Sequence, residues 1–145
     1  MRTAFVALLV AVAACSSAQT AKPAGEPQKA VSIAGRWTWE QNPESLDLIL
    51  KQDGAAISGY HSAVGQRGNK VDEVTEESGA EPSIRGEMKG TVGTVKFRSG
   101  YTDSKGGGTA TLTLRGGVLY WQIVKSDGEH YFPKSARLRP SKQRQ

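Results

Sequence analysis

The chain has 145 residues, a formal net charge of +5 and a single cysteine. One small domain fits this length, and one cysteine excludes an internal disulfide framework. Five of the positive charges lie in the last twelve residues, while residues 16–133 are close to neutral. We therefore expect the basic character to be a tail and not a face of the fold, which argues against a nucleic acid partner.

The first fifteen residues have the three parts of an export signal. Arg2 supplies a basic start, residues 4–14 are apolar, and the run ends in small residues. This run is shorter than the about 20 residues of a membrane-spanning helix, so we interpret residues 1–15 as a signal peptide. Residues 16–30 are rich in Ala, Ser, Gln, Pro and Gly, which predicts a flexible tether.

The segment Val12-Ala13-Ala14-Cys15 resembles the lipobox of bacterial lipoproteins. In that family the cysteine is acylated and becomes the mature N-terminus, so the resemblance implies a lipid anchor, with palmitate, on Cys15. By the same resemblance, Ser16 implies an outer-membrane lipoprotein that faces the periplasm. The alternative is an ordinary signal peptide cut after Ala18, which gives a secreted or soluble periplasmic protein without Cys15.

The folded domain is predicted over residues 31–139 and begins with the strand Gly35-Arg36-Trp37-Thr38-Trp39. Side chains alternate across a strand, so Trp37 and Trp39 point to the same side and give it a large apolar surface. Asp53-Gly54 marks a hairpin turn between the next two strands. Further strands with alternating or turn-bounded apolar residues are predicted near residues 46–50, 55–62, 83–89, 94–99, 109–114, 118–124, 129–132 and 136–138.

Two long loops interrupt these strands. Residues 63–82 are polar and acidic, and residues 101–108 end in three glycines, which we predict to be too permissive to hold a strand. Without a helical period, eight or nine short strands predict an all-β antiparallel meander. An open meander of this size would leave long unpaired edges, so we expect closure into a small barrel. Residues 140–145 are predicted to be a basic, disordered tail.

Gly35-Arg36-Trp37 resembles the Gly-x-Trp signature of the lipocalin and avidin-like calycin barrels. The resemblance implies that Trp37 closes one end of the barrel beneath Arg137 or Arg139 of the last strand. It concerns the calycin-like architecture and no ligand, because the later lipocalin motifs are absent from the sequence. The stretch Gly59-Tyr60-His61-Ser62 is similar to one in small exported bacterial proteins without a known function, and it implies no activity.

Catalytic and metal-binding motifs are not found in the sequence. The two histidines are far apart and lack partners at ligand spacing, and a nucleophile elbow and a phosphate-binding loop are missing. We therefore expect no enzyme, no metal and no cofactor. The acids between Asp72 and Glu81 lack the fixed spacing of a calcium loop, and we expect them to be solvated.

Four residues are candidates for binding a ligand or a partner, namely Trp39, Tyr60, His61 and Trp121. Aromatic residues dominate interface hot spots, and of the neighbours Tyr120 and Trp121 one must face outward. The alternative is that the aromatic residues belong to the core and the barrel ends. His61 shares a side with an apolar residue of its strand, where a hydrogen-bonded structural histidine is more common than a general base.

These features favour a monomeric lipoprotein of the cell envelope. Its barrel is expected to bind a small apolar ligand or an envelope protein. The alternative is an inhibitor or immunity-type protein that blocks a cell-wall hydrolase such as lysozyme. In that alternative the acidic segment 72–81 is steered by charge toward a basic enzyme.

Overall fold

The computed structural model describes residues 31–101, 103 and 105–142. The predicted signal peptide, Cys15 and the tether lie outside these residues, and so do the last three residues of the predicted tail. No helix within the described part of the chain is long and apolar enough to cross a membrane.

Nine antiparallel strands form a single sheet in the described residues. A 3₁₀ turn, Gln66–Gly68, joins the third strand to the fourth. The strands are β1 Gly35–Gln41, β2 Glu44–Asp53, β3 Ala56–Gly65, β4 Lys70–Val74, β5 Ile84–Lys89, β6 Val92–Arg98, β7 Gly107–Arg115, β8 Val118–Asp127 and β9 Ser135–Pro140.

Eight of these strands close into a barrel. Each pairs with its neighbour in the order β1, β2, β3, β5, β6, β7, β8, β9, and β9 returns to β1. The ninth strand, β4, pairs with the second half of β3, whereas β5 pairs with the first half. The predicted fold class, an all-β antiparallel barrel of calycin-like architecture, is confirmed.

The two ends of the barrel differ in their connections. At the end that we call lower, the hairpins are short, and Gly54 and Gly90 take positive φ angles of 58° and 62°, a region that favours glycine. The upper end carries β4, an acidic loop (residues 75–83), the connection 99–106 and a cap loop (residues 128–134). The upper end is therefore where most of the irregular chain collects.

The interior of the barrel is filled with apolar side chains. Every one of the eight barrel strands contributes at least one buried apolar residue, and Ile33 and Phe132 enter from outside the strands. Ile33 precedes β1 at the lower end, and Phe132 lies in the cap loop at the upper end. The buried cluster is Ile33, Trp37, Leu46, Leu48, Leu50, Ile57, Ala63, Ile84, Met88, Val95, Phe97, Ala110, Leu112, Leu119, Trp121, Phe132, Ala136 and Leu138.

The expected loop over residues 63–82 is wrong in its first half. β3 continues to Gly65, and β4 pairs with it from Lys70 to Val74. β4 points Asp72 and Val74 inward. An aspartate at an inward position removes the apolar alternation by which a strand is recognised in a sequence.

Two other assignments also fail, the loop over residues 101–108 and the strand near residues 129–132, and backbone contacts explain both. Gly107 and Gly108 belong to β7. The neighbouring strands approach so closely that a Cβ atom would lie 2.3 Å from a carbonyl oxygen at Gly107 and 2.0 Å from one at Gly108, so only glycine fits. Residues 129–132 form part of the cap loop and not a strand. There the N–H of Tyr131 donates to the Asp72 carboxylate and not to a neighbouring strand.

Trp37 is buried near the lower end, as predicted, but neither Arg137 nor Arg139 covers it. Its indole Nε1 donates to the Ile33 carbonyl oxygen at 2.9 Å. Arg137 and Arg139 are exposed, because they alternate with the inward residues Ala136 and Leu138 along β9. The predicted pairing of the last strand with the first is confirmed by the register of residues 37 and 38 against residues 140 and 139.

Candidate functional site

A buried carboxylate, Asp72, joins three segments of the chain at the upper end. Its Oδ1 accepts from the N–H of Gly100 at 2.7 Å and lies 3.1 Å from His61 Nε2. Its Oδ2 accepts from Ser99 Oγ at 2.8 Å and from the N–H of Tyr131 at 3.0 Å. The side chain has no solvent exposure. Asp72 therefore fastens β4 to β3, to the chain after β6 and to the cap loop.

His61 extends this network into the barrel wall. Its Nδ1 lies 2.7 Å from Ser83 Oγ, and its ring packs against Phe132 with a centroid distance of 4.1 Å. Both ring nitrogens therefore have a hydrogen-bond partner, one a carboxylate and the other a hydroxyl. Ser83 and His61 are each 2% exposed. The residue types are those of a serine hydrolase, but here the hydroxyl of Ser83 is buried against His61.

The Asp72 carboxylate is held in its charged form. Burial raises its pKa, but hydrogen bonds from His61 and from the N–H groups of Tyr131 and Gly100 lower it by more, to about 2. A carboxylate that accepts several N–H bonds is stabilised as the anion even when it is buried. The network is therefore intact over the ordinary range of pH.

The cap loop closes the upper end by packing and by hydrogen bonds. Phe132 stacks on Trp121 at a centroid distance of 5.4 Å and an angle of 19°. The Trp121 indole Nε1 donates to the Pro133 carbonyl oxygen at 2.9 Å. Trp121 is 1% exposed, so it supports the cap loop from inside the barrel.

An acidic groove of about 540 Å³ lies on the outer face of the first strands. Ile49 is 43% exposed there, and the Tyr60 ring lies next to it on the paired strand β3. The groove thus combines an apolar floor with a charged rim. Its lining consists of Arg36, Asp47, Ile49, Tyr60, His61, Ser62, Glu73, Val74, Thr75, Glu76 and Glu77.

The acidic loop is pinned against this face by two contacts. Tyr60 OH donates to the Ala80 carbonyl oxygen at 3.3 Å, and Lys51 forms an ion pair with Glu76. The buried Tyr60 ring is consequently covered by the loop, and the loop places Glu76 and Glu77 along one wall of the groove. The outer face of β2 and β3 and the fixed acidic loop together define the shape of the groove.

Negative charge predominates in the acidic groove. Arg36 is the one cation in its lining, and it pairs with Asp47 Oδ2 at 3.3 Å. Asp47 Oδ1 is buried without a hydrogen-bond partner. Glu73 and Glu77 are exposed and have no ion-pair partner within the described residues. The carboxylates of Glu73 and Glu77 therefore face solvent, and no cation of the described residues neutralises their charge.

The structure separates the four predicted binding residues. Tyr60 and His61 line the acidic groove, although the His61 side chain points into the barrel. Trp39 is half-buried and packs against the core, and Trp121 is internal. Tyr120 is the outward member of its pair, which confirms that one of the two neighbours faces out. The four side chains therefore do not form one cluster on the surface of the barrel.

The basic residues form a face as well as a tail, which corrects the prediction from the sequence. β1 to β4 carry three bases and six acids, whereas β5 to β9 carry eight bases and two acids. Segregation of this kind is hard to see in the sequence because most strands carry charges of both signs and only the strand order groups the excess of each sign. The bases of β5 to β9 are Arg85, Lys89, Lys96, Arg98, Arg115, Lys125, Arg137 and Arg139, and the acids are Glu87 and Asp127.

A scan against protein-family models and searches of curated proteins and of solved structures find no match to this chain. Within the residues that the structure describes, no group of three His, Cys, Asp or Glu side chains is placed to hold a metal ion.

Two features of the site were missed by reasoning from the sequence. Asp72 was assigned to a solvated loop, although it is the most connected polar residue of the upper end. Ile49 lies in the outward register between Leu48 and Leu50, and only the pairing with Tyr60 shows it as the groove floor. An apolar residue in the outward register of an alternating strand was the one available signal.

Proposed function

We propose that this protein is a lipid-anchored lipoprotein of the cell envelope whose barrel binds another protein through the acidic groove. The observation that carries the proposal is the groove itself, which joins an exposed apolar floor at Ile49 to uncompensated carboxylates at Glu73 and Glu77. Interfaces of this design place an apolar centre inside a polar rim. The partner surface complementary to it is basic and carries an apolar side chain.

The filled interior supports a protein partner over a small apolar ligand. Ligand-binding barrels keep a cavity, whereas the interior here is occupied by eighteen buried side chains from all the barrel strands and both ends. A ligand inside the barrel would have to displace packed side chains such as Phe132 and Trp121. A partner at the outer face displaces only solvent.

The second candidate is an inhibitor or immunity-type protein that blocks a cell-wall hydrolase such as lysozyme. It is favoured by the acidic loop, which lies beside the groove and supplies Glu76 and Glu77 to its wall. Charge complementarity of this kind accelerates encounter with a basic enzyme. This candidate is a specific case of the first, because the same groove makes the contact.

The experiment compares two charge-matched double variants. Glu73→Gln with Glu77→Gln removes two carboxylates from the groove, whereas Glu87→Gln with Asp127→Asn removes two from the opposite half of the barrel. Purified wild-type protein and both variants are immobilised and exposed to an envelope extract. We expect a partner that is retained by the wild type and the control, and whose retention falls about tenfold with the groove variant.

The same three proteins test the second candidate in assays with lysozyme and other muramidases. Inhibition at micromolar concentration that is lost only in the groove variant supports the inhibitor function. If none of the three proteins inhibits any muramidase, the inhibitor function is excluded and the proposal of another protein partner remains. Retention that is equal in all three proteins would remove the groove from the proposal altogether.

The lipid anchor is tested separately with Cys15→Ser. We expect the wild-type protein to incorporate labelled palmitate and to fractionate with membranes, and the variant to do neither. Membrane fractionation that persists in the variant would contradict anchoring through Cys15. This outcome does not depend on which protein the groove binds.

A further inference from the structure

The strands β5 to β8 present a regular array of cations on the outside of the barrel. Strand pairing sets Arg85 opposite Lys96, Lys96 opposite Thr109, and Thr109 opposite Lys125. All three cations are exposed. Neighbouring strands are about 4.8 Å apart, so this row crosses roughly 14 Å of surface. The barrel therefore carries a row of three exposed cations across four neighbouring strands, with a β-bulge next to Thr109.

The array keeps like charges side by side. Arg85 and Lys96 are direct cross-strand neighbours, and like charges in that position destabilise a sheet. Arg85 is relieved in part by the ion pair with Glu81. Lys96 has no ion-pair partner within the described residues. An arrangement that costs stability and leaves cations unmatched fits a surface that meets an anion.

The surface between these cations is grooved. A groove of about 550 Å³ runs along β5, β6 and β7. Hydroxyl and amide groups continue beside the row of cations, where Thr94 pairs with Thr111 and Thr111 with Gln122. The lining of the groove is Arg85, Gly86, Glu87, Lys89, Thr94, Val95, Lys96 and Thr109.

These features distinguish an anionic sugar polymer from a membrane. Helices and faces that insert into lipid carry large apolar or aromatic side chains beside their basic residues. On β5 to β8 the large apolar side chains that are exposed are the valines Val92 and Val124. Three cations and two threonine hydroxyls line the groove beside one acid, Glu87, and they suit a chain that offers hydroxyl groups and regularly spaced carboxylates or phosphates. A flat bilayer touches only the crest of a convex barrel.

We propose that the face formed by Arg85, Lys89, Lys96 and Lys125 with the threonines between them binds an anionic polysaccharide. We call it the basic face. This proposal relies on the proposed function only for the location in the cell envelope, because the acidic groove lies on the other half of the barrel. Binding here holds the protein on an anionic polymer while leaving the groove free for its partner.

The test measures binding of the purified protein to polygalacturonate, a carboxylated glycan, at low salt. Arg85→Gln with Lys96→Gln removes two cations from the row, and Arg139→Gln with Lys142→Gln removes two exposed cations that lie outside it, in β9 and just after it. Each variant changes the net charge equally. We expect the Kd to rise about tenfold in the first variant and to stay within about twofold in the second. Lys125→Gln should add a further loss, because it completes the row.

Neutral dextran and vesicles that contain phosphatidylglycerol serve as comparison probes. Wild-type binding to polygalacturonate, none to dextran, and weaker binding to vesicles are expected. No binding of the wild type to polygalacturonate at millimolar sugar would overturn the proposal. An equal loss of binding in both double variants would mean that net charge alone causes binding. Stronger binding to vesicles than to polygalacturonate would mean that the face binds lipid. Either result contradicts the polysaccharide proposal. Failure here leaves the groove proposal untouched.

Discussion

Asp72 accepts four hydrogen bonds from β3, the chain after β6 and the cap loop, and it has no contact with solvent. Asp72→Asn keeps the shape but turns one acceptor into a donor that faces other donors. We expect it to lower the free energy of unfolding by about 2 to 4 kcal/mol. The measurement is urea unfolding. The neighbouring exposed Glu73→Gln is the control and should change stability by less than about 0.5 kcal/mol.

The same carboxylate gives the domain a defined response to acid. The pKa of Asp72 is lowered to about 2, below the value of 3.8 that is ordinary for aspartate. Its contribution to stability is therefore complete above about pH 5 and is lost as the pH falls toward 2. Linkage makes this contribution about 2 to 3 kcal/mol. Asp72→Asn should flatten the stability profile between pH 5 and pH 2, and an unchanged slope in the variant would place the titration elsewhere.

Trp37 and Trp39 share one face of β1 but not one degree of burial. Trp37 is 6% exposed and donates to the Ile33 carbonyl oxygen, whereas Trp39 is half-buried. Trp37→Ala should lower the free energy of unfolding by about 3 to 5 kcal/mol, because it leaves a cavity in a filled interior. Trp39→Ala should cost less. Denaturant midpoints decide this, and an equal loss for the two variants would show that the exposed part of Trp39 is covered in solution.

At the level of strands, β9 closes the barrel with few residues. It buries Ala136 and Leu138, pairs with β8 along its first four residues, and meets β1 at two positions. Ser141, which the sequence assigned to the tail, still donates its N–H to the Arg36 carbonyl oxygen at 2.9 Å. The closing strand therefore extends slightly into the predicted tail.

Truncation tests how much the closing strand matters. Removing residues 134–145 takes away β9 and exposes the edges of β1 and β8, so we expect the domain to lose cooperative unfolding. Removing residues 142–145 leaves the Ser141 bond in place and should not shift the thermal midpoint by more than about 2 °C. Circular dichroism during heating measures both. Cooperative unfolding of the shorter chain would mean that the other strands fold without closure.

The success of strand prediction followed the pattern of inward residues. β2 was recognised because its inward residues Leu46, Leu48 and Leu50 are all apolar, and the hairpin at Gly54 because its turn type is common. β4 was missed because an inward aspartate serves a hydrogen-bond network that only the folded chain assembles. The cap loop was taken for a strand because its aromatic residues have strand-like composition. Local pattern thus predicted the regular wall of the barrel and not its upper end.

The candidate site was predictable only in its parts. Tyr60 was identified from its aromatic character, and the acids of segment 72–81 from their density, but their meeting in one groove depends on the loop that folds over β3. Charge segregation between the two halves of the barrel depends on strand order, because it is the sum of small excesses of one sign on several strands. Both features depend on which strands and loops are neighbours in the fold, and this could not be predicted from a single sequence.

For the whole molecule, the acidic groove and the basic face make the barrel electrically polar. Each surface is complementary to the other on a second copy, and such a contact between different surfaces does not close into a symmetric dimer. At 0.01 M salt the Debye length is about 30 Å, so the two faces attract across a gap. At 0.15 M salt it is about 8 Å, and the attraction is largely screened.

We therefore expect weak, open-ended self-association at low salt and a monomer at 0.15 M salt, measured by sedimentation velocity over a range of protein concentrations. Either Glu73→Gln with Glu77→Gln or Arg85→Gln with Lys96→Gln should reduce the association, since each weakens one of the two complementary surfaces. Combining the groove variant with the basic-face variant should abolish it, although the net charge of the combined protein equals that of the wild type. That equality separates surface complementarity from net charge. A combined variant that associates as strongly as the wild type would show that the polarity of the barrel does not act between molecules.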